Sequence, residues 1–512
     1  MVNRKGFSIK NILIMFSGIL FVLFVCHEVR TERTMCMGVP VVTEAQIQEL
    51  AVQETVLDNI VLLEDVLTPF DTAGRKIYIP CTVNETTKYN ELSGQLKSSL
   101  PEYELYFLWE EGFETLQESI RYGCKFTMYA IDEQGNYSTY YVIFTTLPIL
   151  EMHGEVIGID EREREIYSGE MTFWEPRTKA NNRLPVQQSD IEWHVRGYSS
   201  MSFLKKSLRL SLKDNTGDGN NLSLAGLSSD DDYILNPMWF DDVKVREKLA
   251  IDLWNEIAAE EGSSLKMSGG EYCEVIINGS YQGLRLLQNK IEKKYLQLDG
   301  DDMLLKGQNV NPSAGRKLEE AYEIIYSQDE KAAYESMEGF FSETDFSSLN
   351  LDNWIDTQLM ILLGNMKDNL NYKNIYYVVE KESGKESLNM IPWDTDMSFG
   401  VYWIDGSGFS YAPDSVEIIE YRMEYEALKE QYPDLDERLA QRWQQLRQTV
   451  FSTENILGKI DTYRYTILMS GAVDRDFNML GWYSWGGQDT PENLKVYIEN
   501  RLNLLDEKFG IQ

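Results

Sequence analysis

The apolar pattern of this chain changes period near Lys306, and that change limits the folds open to it. Upstream, short aromatic and β-branched runs recur: KIYIPCTV, YELYFLW, CKFTMYAI and YYVIFTTLPIL between Lys76 and Leu150, then EMTFW, DIEWHVRG and KSLRLSL. Runs of this length, the first four separated by Asn-Glu, Glu-Gly and Gln-Gly-Asn turns, predict strands. Downstream, helical periodicity appears near 315–342, 352–364, 415–450, 453–470 and 491–509. The last of these has the sharpest ends, with Thr490 as N-cap, Pro491 at the first helical position and Gly510 just past the end. A β-rich front and an α-rich back, without internal repeats, predict an α+β chain rather than a repeat array or an alternating βαβ sheet.

At 512 residues the chain is too long for one core. Residues 1–37 read as a signal anchor and its flanks, because Arg4, Lys5 and Lys10 precede an uncharged apolar run from Ile12 to Cys26. The expectation is an uncleaved membrane anchor with the rest of the chain outside the cytoplasm; a cleaved secretion signal would place it in the same compartment. Residues 38–75 read as a polar stalk with one amphipathic helical stretch, Glu44–Leu67. Residues 76–150 read as a small β-sandwich, and 151–512 as a two-lobed domain with a helical C-terminal lobe. Within that domain a helix is expected over Phe240–Glu261, with Asp241 or Asp242 as cap and Gly262 as stop. A hairpin is expected from Glu271–Ile277, Asn278-Gly279 and Tyr281–Leu287.

Charge and rare residues exclude several chemistries. With 48 basic against 83 acidic residues the net charge is −35, so a general basic surface for nucleic acid or anionic lipid is absent and any phosphate site must be local. Past the N-terminal run only Cys36, Cys81, Cys124 and Cys273 remain, without a CxxC, and there are three histidines. That argues against a zinc ribbon and a Ser-His-Asp relay. Cys81 and Cys124 could pair or stay single thiols. The loop Asp214–Asp232 contains DNTGDGNN, but Ala225 stands where a calcium loop of the EF-hand type needs Glu, so it reads as a solvated acidic loop.

The strongest chemical signal is NMIPWDTDMSFG, Asn389–Gly400. An apolar strand delivers Asp394 and Asp396 to one side of a turn, where together they could hold one hard cation, Mg²⁺ or Mn²⁺; either could instead cap the turn. Ahead of it, the apolar run Asp352–Gly364 leads into Asp368, and a strand, Ile375–Glu380, follows. Arg196, Lys205 and Lys206 form a rare basic cluster that could contact phosphate oxygens, and Gly197 beside Arg196 permits close backbone approach to a ligand, although the lysines could equally be solvated strand-edge residues.

Four ordered motifs carry a resemblance: RGYSSMSFLKKSLRLSL (Arg196–Leu212), VREKLAIDLWNEI, VIINGSYQGLRLLQ and PWDTDMSFG. Together, over about residues 145–510, they resemble the spore coat protein H family, the CotH-type kinases, atypical relatives of the protein-kinase fold. The resemblance implies ATP-dependent phosphorylation of Ser or Thr in a protein partner outside the cytoplasm, with ATP and Mg²⁺ or Mn²⁺ as cofactors. The net charge of −35 makes no nucleic-acid partner expected, and the only membrane contact expected is through the N-terminal segment. Asp368 would be the catalytic base, Asp394 or Asp396 the metal ligand, and Arg196, Gly197, Lys205, Lys206, Asn371 and Asn374 the nucleotide side. Two positions depart from the pattern. Lys373 stands five residues after Asp368, where kinases carry an Asn for a second metal, so Asn371 or Asn374 would serve. Asn289 stands where relatives commonly carry an acid. An inactive, surface-binding pseudokinase is therefore the alternative, and a nucleotide-sugar transferase using Asp-x-Asp a more distant one.

Overall fold

The computed structural model describes residues 35–108, 115–154, 165–176, 185–197, 201, 203–308, 317–370, 373–382, 384–404, 408–411, 424–480 and 489–511. The chain is α+β. The expected anchor lies outside the described residues, and among those described no helix is long and apolar enough to cross a membrane.

The N-terminal part is built on a mixed sheet in the order Met35–Cys36, Val39–Val42, Tyr103–Leu108, Phe126–Asp132, Asn136–Thr145, Lys76–Pro80, Phe70–Asp71, with Gln53–Glu54 beside Asn136–Thr145. A smaller sheet sets Val61–Leu63 between Val66–Leu67 and Leu96–Ser98. Both share one core that includes Cys36, Val61, Leu63, Ile77, Phe107, Met128 and Val142. The segment expected as a stalk is thus part of the sheets. Its helix stops at Leu50, because the residues beyond find strand partners that satisfy their backbone and bury Val61 and Leu63, and that tertiary pairing outweighs a weak helical period. Cys81 and Cys124 are both free thiols.

Seven strands then close a barrel: Ile149–Gly154, Tyr167–Trp174, Val186–Val195, Leu208–Lys213, Asp232–Asn236, Ser280–Asn289 and Gly270–Ile277, the last running parallel to the first. Leu150, Met152, Phe173, Trp193, Leu210 and Val275 belong to one apolar cluster built from its strands. The expected hairpin is present. Asn278 and Gly279 both have positive φ, +48° and +68°, the conformation that lets a two-residue turn follow the strand twist. The N-terminal sheet meets the barrel here, with Tyr78 stacked on Tyr281 at 5.2 Å. The helix Arg246–Glu260 starts later than expected: Val245 rather than Asp241 or Asp242 stands at its N-cap, and Asp241 braces this start from the preceding turn, its Oδ2 accepting from the Val245 and Arg246 amides, each at 2.6 Å.

The remainder is an antiparallel sheet, Tyr322–Tyr326, Met303–Gly307, Ile375–Glu382, Lys385–Pro392, wrapped by helices. The helical stretch expected near 315–342 is interrupted, since Tyr322–Tyr326 pairs with Met303–Gly307 between the helices Leu318–Ala321 and Glu330–Phe341. Alternating aromatic and β-branched residues suit either period, and the available strand partner decides. Leu351–Gly364 is buried nearly all round, as a helix through a core must be. The helices Tyr425–Gln431, Leu435–Gln448, Thr453–Met469 and Pro491–Lys508 follow. A further helix, Ala472–Leu480, has no counterpart in the sequence reading; Gly471 at φ +69° separates it from its predecessor. One core joins the helix Arg246–Glu260, this sheet and the helices through Leu253, Leu305, Trp354, Tyr377, Trp443 and Leu502.

Candidate functional site

The helix Leu351–Gly364 ends at Asn365, whose left-handed φ of +51° turns the chain into the single turn Lys367–Asn369 and presents Asp368. The strand Lys385–Pro392 ends beside it and runs through buried Trp393 into Asp394, a non-glycine residue at φ +57°. Such a conformation costs about 1–3 kcal/mol and persists only where neighbours impose it. Asn369 is one such neighbour. Its buried amide donates to the carbonyls of Asn374 and Trp393, both at 2.9 Å, while the Trp393 amide donates to the Asn374 carbonyl, also at 2.9 Å. The two acid-bearing loops are thereby tied to each other.

A third carboxylate joins them that sequence reasoning missed. Glu247, in the first turn of Arg246–Glu260, is buried and accepts from Thr395 Oγ1 at 2.8 Å and from Gln288 Nε2 at 3.0 Å. Thr395 lies between Asp394 and Asp396, so the hydroxyl links this helix to the Asp-x-Asp turn. Burial, and then the charge of Asp394, push the Glu247 carboxyl up to about 7. Half-buried Asp396 is pushed well above the usual carboxylate range by desolvation and by Asp394, Glu247 and Asp368 in turn. Among the described residues no ion pair reaches Asp394, Asp396 or Glu247. Gln288 also leaves its buried Oε1 without a hydrogen-bond partner. Oxygen donors of this kind, on fixed elements and without a thiol or imidazole, fit a hard cation such as Mg²⁺ or Mn²⁺. The only sequence signal for Glu247 is an acid in a helical first turn, which is common at exposed caps.

The basic residues separate into two groups. The Arg196 guanidinium lies over the Trp393 ring at 5.6 Å, and Gly197 has φ +99°. Lys306 lies over Tyr376 at 5.8 Å, and Tyr376 packs edge-on against Trp393 at 5.7 Å, so both cations border the Asp-x-Asp loop. Lys205 and Lys206 do not fit either expectation made for them, because both are buried and spent on internal partners. Lys205 Nζ pairs with Asp476 at 2.6 Å and also donates to the Leu284 carbonyl, and burial pulls its ammonium down to about 7. Lys206 Nζ donates to the carbonyls of Met201 and Phe203 at 2.7 and 3.2 Å, shaping its own loop.

Around Asp368, Asn374 Nδ2 donates to Oδ2 at 3.2 Å, and Lys373 pairs with the same oxygen at 2.7 Å. Asn371 lies outside the described residues. Asn289 is buried and donates to the Ser228 carbonyl at 2.9 Å. The calcium-like loop satisfies itself, with Asp214 Oδ1 accepting from the Thr216 and Asp218 amides at 2.8 and 3.0 Å. At its end Asp230 and Asp231 join Glu292, with ligand oxygens within 4.8 Å of one another. Lys294 pairs with Asp230 at 3.2 Å and with Asp231.

A search of the curated proteins finds no match to this chain. The family model described as CotH kinase protein matches residues 193–505, a span that contains Arg196, Glu247, Asp368, Asp394 and Asp396.

Proposed function

The chain belongs to the CotH kinase protein family, and from that premise we propose that it transfers the γ-phosphoryl group of ATP to a Ser or Thr hydroxyl of a protein, within a two-lobed kinase-like domain. The observation that carries this reading is the pair of ties that join the acid-bearing elements: Thr395, between Asp394 and Asp396, donates its hydroxyl to buried Glu247 at 2.8 Å, and Asn369, next to Asp368, donates to the Trp393 carbonyl beside Asp394 at 2.9 Å. Asp368 takes the proton of the acceptor hydroxyl as the new O–P bond forms and the bond to the ADP leaving group breaks. Asp394, Asp396 and Glu247 would hold Mg²⁺ or Mn²⁺, which would neutralise charge spreading over the phosphoryl oxygens. Arg196 and Lys306 place positive charge on the nucleotide side of the same loop. In a chain of net charge −35 an unneutralised triphosphate is repelled, so ATP should bind only with a divalent cation. We further propose that the N-terminal apolar segment anchors the chain with this domain outside the cytoplasm, or is cleaved to secrete it.

A second reading, an inactive module that binds partners at the cell surface, draws support from Lys373, whose ammonium holds the proposed base at 2.7 Å. Transfer of labelled γ-phosphate to a generic acceptor or to the protein itself separates the two. On the kinase reading, Asp368→Asn lowers transfer about 100-fold while sparing Mg-ATP affinity, because the base contacts the acceptor rather than the nucleotide. If the wild type binds Mg-ATP yet transfers no faster than the variant, the module reading replaces it.

A further inference from the structure

Beside Glu247 stands Arg246, fully buried, with a guanidinium that joins distant parts of the chain. Nη1 and Nη2 donate to the two carboxylate oxygens of Asp489 at 2.9 and 2.7 Å, Nη1 also pairs with Asp241, and Nε donates to the Phe399 carbonyl at 3.4 Å. Asp489 immediately precedes Thr490, the cap of the C-terminal helix, and accepts from the Asp242 amide at 3.0 Å. Phe399 closes the turn that Asp394 opens. It too is a non-glycine residue at positive φ, +48°, and its amide donates to the Gly364 carbonyl at 2.6 Å. A turn strained at both ends keeps its shape only while both ends are held. Asn369 holds the end at Asp394; Gly364 and Arg246 hold the end at Phe399. Arg246 is also joined to Glu247 by one peptide bond, so the bridge sets where that carboxylate stands relative to the turn.

We infer that Arg246 and Asp489 are positioning residues that set the cation affinity of the Glu247, Asp394 and Asp396 group, which makes the segment entering the C-terminal helix part of the site's control. The inference rests on the cation role proposed above. Burying a guanidinium with carboxylates contributes little net stability over an apolar packing, whereas it fixes geometry through a rigid fork of donors. Geometry of this kind around metal ligands is worth about 10- to 100-fold in metal affinity.

The test measures Mn²⁺ binding to the full chain by electron paramagnetic resonance, without nucleotide, well below the melting temperature of every variant. Asp489→Asn is nearly isosteric and should weaken Mn²⁺ binding by about 10-fold or more; Arg246→Lys, which keeps the charge but loses the fork, should do the same. Asp506→Asn is the control. It disrupts the ion pair with Arg447 at 2.9 Å among the C-terminal helices and should lower the melting temperature with Mn²⁺ affinity unchanged. If Arg246→Lys does not fold, Asp489→Asn decides alone. A folded Asp489→Asn that binds Mn²⁺ as the wild type does overturns the inference and leaves the cation site standing, as does a loss in Asp506→Asn of the same size. A wild type that binds no Mn²⁺ removes the cation reading and this inference together.

Discussion

Two acidic groups lie in the same domain and differ in what neutralises them. Where the strands Asp232–Asn236 and Ser280–Asn289 meet, Asp230, Asp231 and Glu292 bring ligand oxygens within 4.8 Å of one another, but Lys294 enters the group and pairs with two of the three. At Glu247, Asp394 and Asp396 the side-chain donors found among the described residues are neutral, Thr395 and Gln288 on Glu247. There the carboxylates act on each other and on their own protonation, with Glu247 raised to about 7. The two groups therefore differ as cation candidates: one carries its own ammonium, and the other has none among the described residues.

The largest effect should come from breaking the second group. Asp394→Asn and Asp396→Asn should each lower phosphoryl transfer at least about 100-fold, about 3 kcal/mol in barrier, and weaken Mg-ATP binding. Asp231→Asn should leave transfer within about threefold. Equal losses at both places would erase the contrast.

A comparable but smaller effect lies in pH. Glu247 titrates near 7 in the folded chain against an ordinary 4.5, so between those values the folded state binds a proton that the unfolded state has lost. Stability in EDTA should therefore be fully present below about 4.5 and fall as pH rises to about 7, by up to about 3 kcal/mol. Asp396, shifted in the same direction, adds to the slope. Melting temperatures across this range check it: Glu247→Gln should flatten the curve, and an unchanged curve in that variant would show that the carboxyl is not held protonated.

The smallest effect sharpens the contrast from the other side. Lys294→Met removes a half-exposed ammonium from buried Asp230 and should cost only about 1 kcal/mol. Millimolar Ca²⁺ or Mg²⁺ should restore the lost melting temperature in the variant. If neither does, Lys294 is not standing in for a cation.

Much of the frame was legible from residues close together in the chain. The Asn278-Gly279 turn, the Thr490-Pro491 start of the last helix and the strand that leads into Trp393-Asp394 are each specified within a few residues, by φ preferences, capping and period. The strand Tyr322–Tyr326 and the fate of residues 38–75 were not, because a segment with mixed signals takes the structure for which a partner exists elsewhere.

The same division holds at the site. Sequence alone determined that a strand would deliver two acids into a turn and that a helix would present a third, Asp368, beside it. Tertiary structure alone decided which charges belong together: Lys205 meets Asp476 across 271 positions, and Glu247 meets Thr395 across 148. The reason is physical. Backbone conformation is governed by neighbours a few bonds away, whereas the free energy of a charge depends on its burial and on the groups that surround it, which the chain brings together only when it folds.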